Sequence, residues 1–294
     1  MIFDMNRHED AWVAHFEAMA GPCEVHVCVD SRSEARALAS LVVDEAIRIE
    51  RKYSRYRDDS ITHEINSSNG QSVKIDSETE RLLRFAAQCF EISEGSFDIT
   101  SGVLRRAWRF DGQKAEPDEG LIRKLLQKVG WNRVVLGSHF VQLEPGMEID
   151  FGGIGKEYAV DRSIEILAEN TSSAFLVNFG GDIRVLSPKS KPRTWSIGIE
   201  NPDSENSPVG QIELSNGAVA TSGDLRRFCL YGGKRLCHIL DATTGWPVQN
   251  APRSVTVVCS NCLEAGFVAT LAMLHGPKAE DFLNAQGLTH HCIR

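Results

Sequence analysis

The sequence predicts an α+β protein with mixed, largely antiparallel sheets and packed helices. Helical periodicities are separated by runs of several short strands rather than by single strands, which argues against a doubly wound sheet. With 294 residues, 42% of them hydrophobic, the chain can bury a substantial core. Neither an internal repeat nor a low-complexity tract breaks it up.

Residues 24–30 (EVHVCVD) alternate as a strand does. A helix follows over 33–57, where Ala37, Leu41, Ala46, Ile47 and Ile49 fall on a helical period, and it ends in the charged, aromatic run ERKYSRYRDDS. Ser77 followed three residues later by Glu80 is a capping-box signature, so a second helix is expected over 77–93, broken by SEGSFD. The polar stretch 111–120 (DGQKAEPDEG), with its Gly and Pro, reads as a surface loop. Short strands are expected at 133–136, 140–143 and 147–151, then a helix over 156–169. Strands follow at 174–179, 194–200, 210–214, 218–221, 227–231, 235–240 and 253–259. The chain closes with helices over 263–275 and 277–286.

Composition narrows the function. The formal net charge is −8 and no Lys/Arg block forms a basic stripe, which excludes nucleic acid as a natural partner. The opening segment MIFDMNRHEDAWVAHF carries charges where a secretory signal needs an apolar region. No run of about 18 apolar residues occurs elsewhere, so membrane insertion is not expected and the cytoplasm is the expected compartment. Eight cysteines are scattered among apolar neighbours and read as reduced thiols. Cys259 and Cys262 form a CxxC that His290, His291 and Cys292 could complete as a zinc site. No second pair lies at ligand spacing, however, and the motif ends a strand-like run, so structural thiols are the expected reading.

Three constellations carry chemistry. In EIDFGGIGKEYAVDRSIEIL (148–167) an apolar strand enters a Gly-rich turn and then a helix. Gly152, Gly153 and Gly155 allow a tight turn and close backbone approach, the free N–H groups of a helix start attract phosphate, and Lys156 adds positive charge. In NFGGDIRV (178–185) a strand meets paired glycines and Asp182, which either holds a substrate hydroxyl or caps a turn. The third combines AVATSGDLRRF (218–228) with CHILDATTGWPV (237–248). Thr221 and Ser222 offer small hydroxyls beside an open backbone. His238 is suited to taking a proton from an alcohol, and Asp241, three residues on, could fix its tautomer.

With these constellations in this order the chain resembles the ApbE family, the FAD:protein FMN transferases. The similarity runs from about residue 16 to 286 and also takes in AMAGPCEV, YSRYRDDSITHEIN, SEGSFDITSGVLRRAW, ATSGD and SVTVV. It implies one domain over 1–294, made of two intertwined subdomains with a cofactor cleft between them. It also implies FAD as substrate, Mg²⁺ as metal and a flavoprotein acceptor whose Thr or Ser hydroxyl receives FMN as AMP leaves. By the same resemblance Met19 and Tyr56 flank the flavin, Ser60 and Asn66 support the loop, and Asp98 and Thr100 lie along the cofactor channel. Gly152, Gly153, Gly155 and Lys156 approach the pyrophosphate and AMP half. Asp182, Thr221, Ser222 and Asp224 line the cleft, and His238 is the base with Asp241 beside it.

Two positions depart from the family pattern. The family's C-terminal ADAxxT supplies an Asp and a Thr to the metal, whereas EAGFVAT (264–270) puts Gly266 where the Asp is expected. Thr270 and the Gly155 carbonyl then remain as metal ligands, and Glu264 should point elsewhere. Glu157 stands where many relatives have Gly; it reads as a solvated residue of the first helical turn, with approach to the metal as the other reading. A metal-dependent FAD pyrophosphatase and a noncatalytic FAD-binding protein are the alternatives to the transferase.

Overall fold

The computed structural model describes residues 3–202, 207–225 and 227–294. The chain starts as a meander of β1 (Asp4–His8), β2 (Ala11–Ala18) and β3 (Gly21–Val27), then enters α1 (Arg32–Tyr53) and α2 (Ile61–Asn66). Next come β4 (Val73–Lys74), α3 (Ser77–Ile92), a 3-10 segment at Ile99–Arg106 and α4 (Glu119–Leu126). A small sheet in the order β4-β6-β5 joins β5 (Val135–Gly137) and β6 (Phe140–Gln142) to β4. A 3-10 turn at Phe151–Gly153 leads into α5 (Gly155–Asn170). After it come β7 (Phe175–Phe179), β8 (Asp182–Leu186), the hairpin of β9 (Trp195–Ile199) and β10 (Gly210–Leu214), and β11 (Gly217–Gly223). A second hairpin pairs β12 (Phe228–Tyr231) with β13 (Lys234–Cys237). β14 (Ser254–Cys259), α6 (Cys262–Leu274), α7 (Ala279–Gln286) and β15 (His290–Ile293) complete the fold.

The central sheet has eight strands in the order β1-β2-β3-β7-β8-β11-β14-β15, every neighbour antiparallel. β7 shows how its two faces are used. Phe175, Val177 and Phe179 point to the helices α1 and α5, while Leu176 points to the far face, where Trp195 and Ile197 of β9 cover it. Alternate residues of a strand face opposite ways, so a strand buried on both sides is apolar throughout, as FLVN is in its first three positions. A separate small core packs Trp108, Ile122, Cys229 and Leu236 beside Trp246, joining α4 to the β12–β13 hairpin.

The structure corrects several local expectations. α1 ends at Tyr53, because Ser54 is extended and the Thr62 hydroxyl bonds the Tyr53 carbonyl at 2.9 Å. Residues 54–60 thereby form a projecting loop. α3 is capped by Asp76, whose carboxylate accepts the Thr79 N–H at 2.8 Å; Glu80 instead bonds Arg84 and the His139 N–H. The expected strand at 147–151 is absent, since the Ile149 amide and carbonyl are both taken by the Asn66 side chain at 2.7 and 2.9 Å. α4 begins at the end of the expected 111–120 loop, where Asp118 caps it. β1, β2, β8 and β15 carry too little alternation or lie beside glycine pairs, and sequence patterning passes over them.

Cys262 is buried at the start of α6 and Cys259 lies on β14; all eight cysteines are free thiols. Among the described residues no helix is long and apolar enough to cross a membrane.

Candidate active site

One end of the central sheet gathers most of the expected site residues. Met19 and Ala20 form the β2–β3 turn with φ of 54° and 61°, left-handed values that cost a non-glycine residue free energy. The β7–β8 turn lies alongside, its Gly180 N–H bonding the Pro22 carbonyl at 2.9 Å. Gly180 and Gly181 need glycine for their φ of 59° and 98°. The glycines at 152, 153 and 155 do not: none has positive φ, and what Gly153 supplies is room, because a Cβ there would come within 3.3 Å of the Phe97 ring.

α5 starts without a side-chain cap, at Ile154, so its first N–H groups are left for another partner. From its first turn Lys156 reaches the buried Asp182 carboxylate at 2.7 Å. Burial opposes the Lys156 charge, but Asp182 and Glu157 outweigh it and raise the lysine pKa; Asp182 itself is pushed up by burial despite the lysine. Asp182 therefore anchors a cation rather than capping its own turn, and its other oxygen takes the Thr221 N–H at 3.4 Å.

Thr221 and Ser222 continue β11 past the end of β8. The Thr221 hydroxyl bonds Thr256 at 2.9 Å, and the Ser222 hydroxyl bonds Thr270 of α6 at 2.9 Å. Asp224 is not open to the cleft: buried, it holds Arg235 at 2.8 Å and Arg253 at 3.2 Å. Asp98 and Thr100 are buried as well. The Asp98 carboxylate takes the Thr100 N–H, the Thr100 hydroxyl and the Trp131 N–H, while the Thr100 oxygen takes the Gly130 N–H at 2.8 Å. Instead of lining a channel they tie the 3-10 segment to the 130–131 turn.

His238 follows directly on β13 and packs edge-on to Phe110, ring centroids 6.4 Å apart. Its Nδ1 is shielded from solvent and has no hydrogen-bond partner among the described residues. Burial, with the charges of Arg227 and Lys156, lowers its pKa to about 4, so the ring is neutral near pH 7. Asp241 does not orient it. That carboxylate takes the N–H and hydroxyl of Thr243 at 2.8 and 2.6 Å, shaping the TTG turn.

Tyr56 tops the 54–60 loop and is 80% exposed. Two residues passed over in the sequence hold it: Arg55 lies over its ring at 4.8 Å, donates to its hydroxyl at 2.7 Å, and pairs with Asp150. Asp150 in turn accepts the Gly152 N–H at 2.9 Å. The exposed ring is thus linked to the glycine turn, and Ser60, capping α2, fixes the loop's other end. The only sequence signal was an Arg–Tyr pair after a helix and a carboxylate before two glycines.

Glu157 is half-buried rather than a fully solvated residue of the first turn. Its Oε2 is shielded from water and unpartnered, and burial together with the Asp182 charge raises its pKa to about 7. The side chain lies against the bare α-carbon of Gly266. Glu264 points outward and takes a hydrogen bond from Ser260 at 3.0 Å. Among the described residues no three His, Cys, Asp or Glu side chains converge as a metal cluster. The groups near the α5 start are nevertheless hard oxygen donors, the hydroxyls of Ser222 and Thr270 and an orphaned carboxylate oxygen, and that chemistry fits Mg²⁺ rather than a soft metal.

A profile of the ApbE family matches residues 19–292. The chain belongs to the ApbE family. It is 31% identical to an FAD:protein FMN transferase of Klebsiella pneumoniae over 81% of this chain and 76% of that one. To an FAD:protein FMN transferase of Vibrio cholerae it is 30% identical over 76% and 69%. The structure superposes on the ApbE protein of Thermotoga maritima with a TM-score of 0.87 at 28% identity, covering 96% and 94% of the two chains. The antiparallel α+β fold of this chain is therefore that of the ApbE proteins.

Proposed function

We propose that this chain is an FAD:protein FMN transferase, which moves the FMN half of FAD onto a Thr or Ser hydroxyl of an acceptor flavoprotein and releases AMP. Two relatives at 30% identity or more carry that activity in their names. The observation in the site that carries the reading is His238. A shielded, unpartnered Nδ1 on a neutral imidazole, near enough to Lys156 to have its pKa depressed by that charge, is a base waiting beside an anion site.

FAD would lie between the sheet end and the small core around Trp108, a cleft between two subdomains of one domain. The uncapped α5 start and Lys156 attract the pyrophosphate, with Gly152 and Gly153 allowing close approach. Tyr56 and Met19 take the flavin ring. Phosphoryl transfer asks mainly for positioning and charge neutralisation. His238 accepts the acceptor hydroxyl's proton as that oxygen attacks the FMN phosphorus; the bond from this phosphorus to the bridging oxygen breaks, and AMP departs with the electron pair. Mg²⁺ held by Thr270 and the Gly155 carbonyl would neutralise pyrophosphate charge.

Incubation of the protein with FAD, Mg²⁺ and a Thr-containing acceptor peptide, followed by mass spectrometry, tests this. The peptide should gain the mass of FMN. Release of free FMN and AMP with an unmodified peptide would make the protein a pyrophosphatase, and intact FAD would make it a binding protein.

A further inference from the structure

Glu157 and Gly266 form one device. An added Cβ at 266 would stand 2.6 Å from Glu157 Cγ and 2.9 Å from its Oε1, so the inward pose of the glutamate requires glycine on the facing helix. Removing the side chain from α6 lets α5 send a carboxylate into the same space.

Of that carboxylate's structural contacts, the hydrogen bond is to its own backbone N–H, and one oxygen is left over. Lys156, whose charge acts on it, is already paired with Asp182, and Glu157 Oε2 has no donor among the described residues. A buried acceptor left unmet is costly, more so when charged, and a bound cation is one way such a group is satisfied. Its position also indicates which ligand. Gly266 and Thr270 are four residues apart on α6 and therefore share a face. Glu157 thus lies one helical turn from the Thr270 hydroxyl, which bonds that of Ser222 at 2.9 Å. A carboxylate and hydroxyls suit a divalent hard cation.

We propose that Glu157 is the anionic ligand of the divalent cation in this chain, delivered from α5 across the bare face of Gly266. This rests on the reading that a divalent cation acts in the cleft, and the test separates the two.

Mn²⁺ serves as the probe, titrated into purified full-length protein with FAD present and followed by its electron paramagnetic resonance, with thermal melting in parallel. Four proteins are compared: the unsubstituted chain, Glu157→Gln, which keeps the volume, Glu157→Gly, and the exchange Glu157→Gly with Gly266→Asp, which returns a carboxylate to α6. The unsubstituted chain should bind Mn²⁺ and melt higher with it. Glu157→Gln should bind at least tenfold more weakly and lose most of the Mn²⁺-dependent rise, though its metal-free melting temperature is equal or higher. The exchange should restore binding relative to Glu157→Gly alone. Equal Mn²⁺ binding by Glu157→Gln and the unsubstituted chain overturns the assignment of Glu157 while leaving the cation in place. Absence of Mn²⁺ binding by the unsubstituted chain overturns the cation reading and this proposal with it.

Discussion

Lys156 and Asp182, from the first turn of α5 and the first residue of β8, meet at 2.7 Å with the carboxylate buried and the ammonium about a third exposed. The pair points a positive charge outward from the sheet end while its counter-ion stays inside. Breaking one side of such a pair leaves an uncompensated buried charge, whereas removing both is milder. Lys156→Met should lower stability by about 2–3 kcal/mol in urea unfolding and weaken FAD binding, and the Lys156→Met, Asp182→Asn double variant should cost less stability than the two single changes added together. Additive losses would show that the two side chains do not act as a unit.

His238 should be separable from binding. His238→Ala is expected to lower the transfer rate by about 10²–10⁴-fold, with the FAD dissociation constant changed less than threefold. Fluorescence titration of FAD alongside single-turnover transfer makes the comparison.

The acid limb of kcat/KM reports the free enzyme's base, and for His238 it should lie near pH 4, well below the 6.5 of an exposed histidine. Stability follows the same shift. Between about pH 4 and 6.5 the unfolded chain holds a proton on this residue that the folded chain does not, so stability rises with pH through that window and His238 adds no pH dependence above it. In His238→Phe the slope of unfolding free energy between pH 4 and 6.5 should be shallower.

Tyr56 and Arg55 should part company in their effects. Tyr56→Ala removes an 80% exposed ring and should leave the melting temperature unchanged while weakening FAD binding about tenfold. Arg55→Ala also strips Asp150 of its cation, so it should lower both FAD affinity and stability. If Tyr56→Ala bound FAD normally, the ring would not be part of the flavin site.

Much of this site was legible because its motifs are local. The GGIGK turn, NFGGD and the histidine after β13 each declare a backbone conformation or a chemistry in a few residues. Of the two roles expected of the glycines at 152, 153 and 155, a tight turn and close approach, the left-handed turn belongs instead to Gly180 and Gly181, while Gly153 supplies room beside Phe97. What stayed hidden depends on partners distant in sequence. Asp98 and Asp224 are cleft residues only by the family resemblance, and nothing local announces the Trp131 amide or the Arg253 guanidinium that they hold. Glu157 looked solvated because the residue that admits it inward, Gly266, lies on another helix. The fold class survived the missed strands because adding β1, β2, β8 and β15 lengthened an antiparallel sheet without changing its layering.

In the proposed reaction the α5 start with Lys156 and the imidazole of His238 flank the same diphosphate. A crystal structure of the His238→Ala variant, soaked with FAD and Mg²⁺ so that the substrate survives, tests it most directly. The pyrophosphate should lie against the 152–156 backbone, with the FMN phosphorus facing the space the imidazole left. Density for the pyrophosphate elsewhere, remote from either group, would rule that arrangement out.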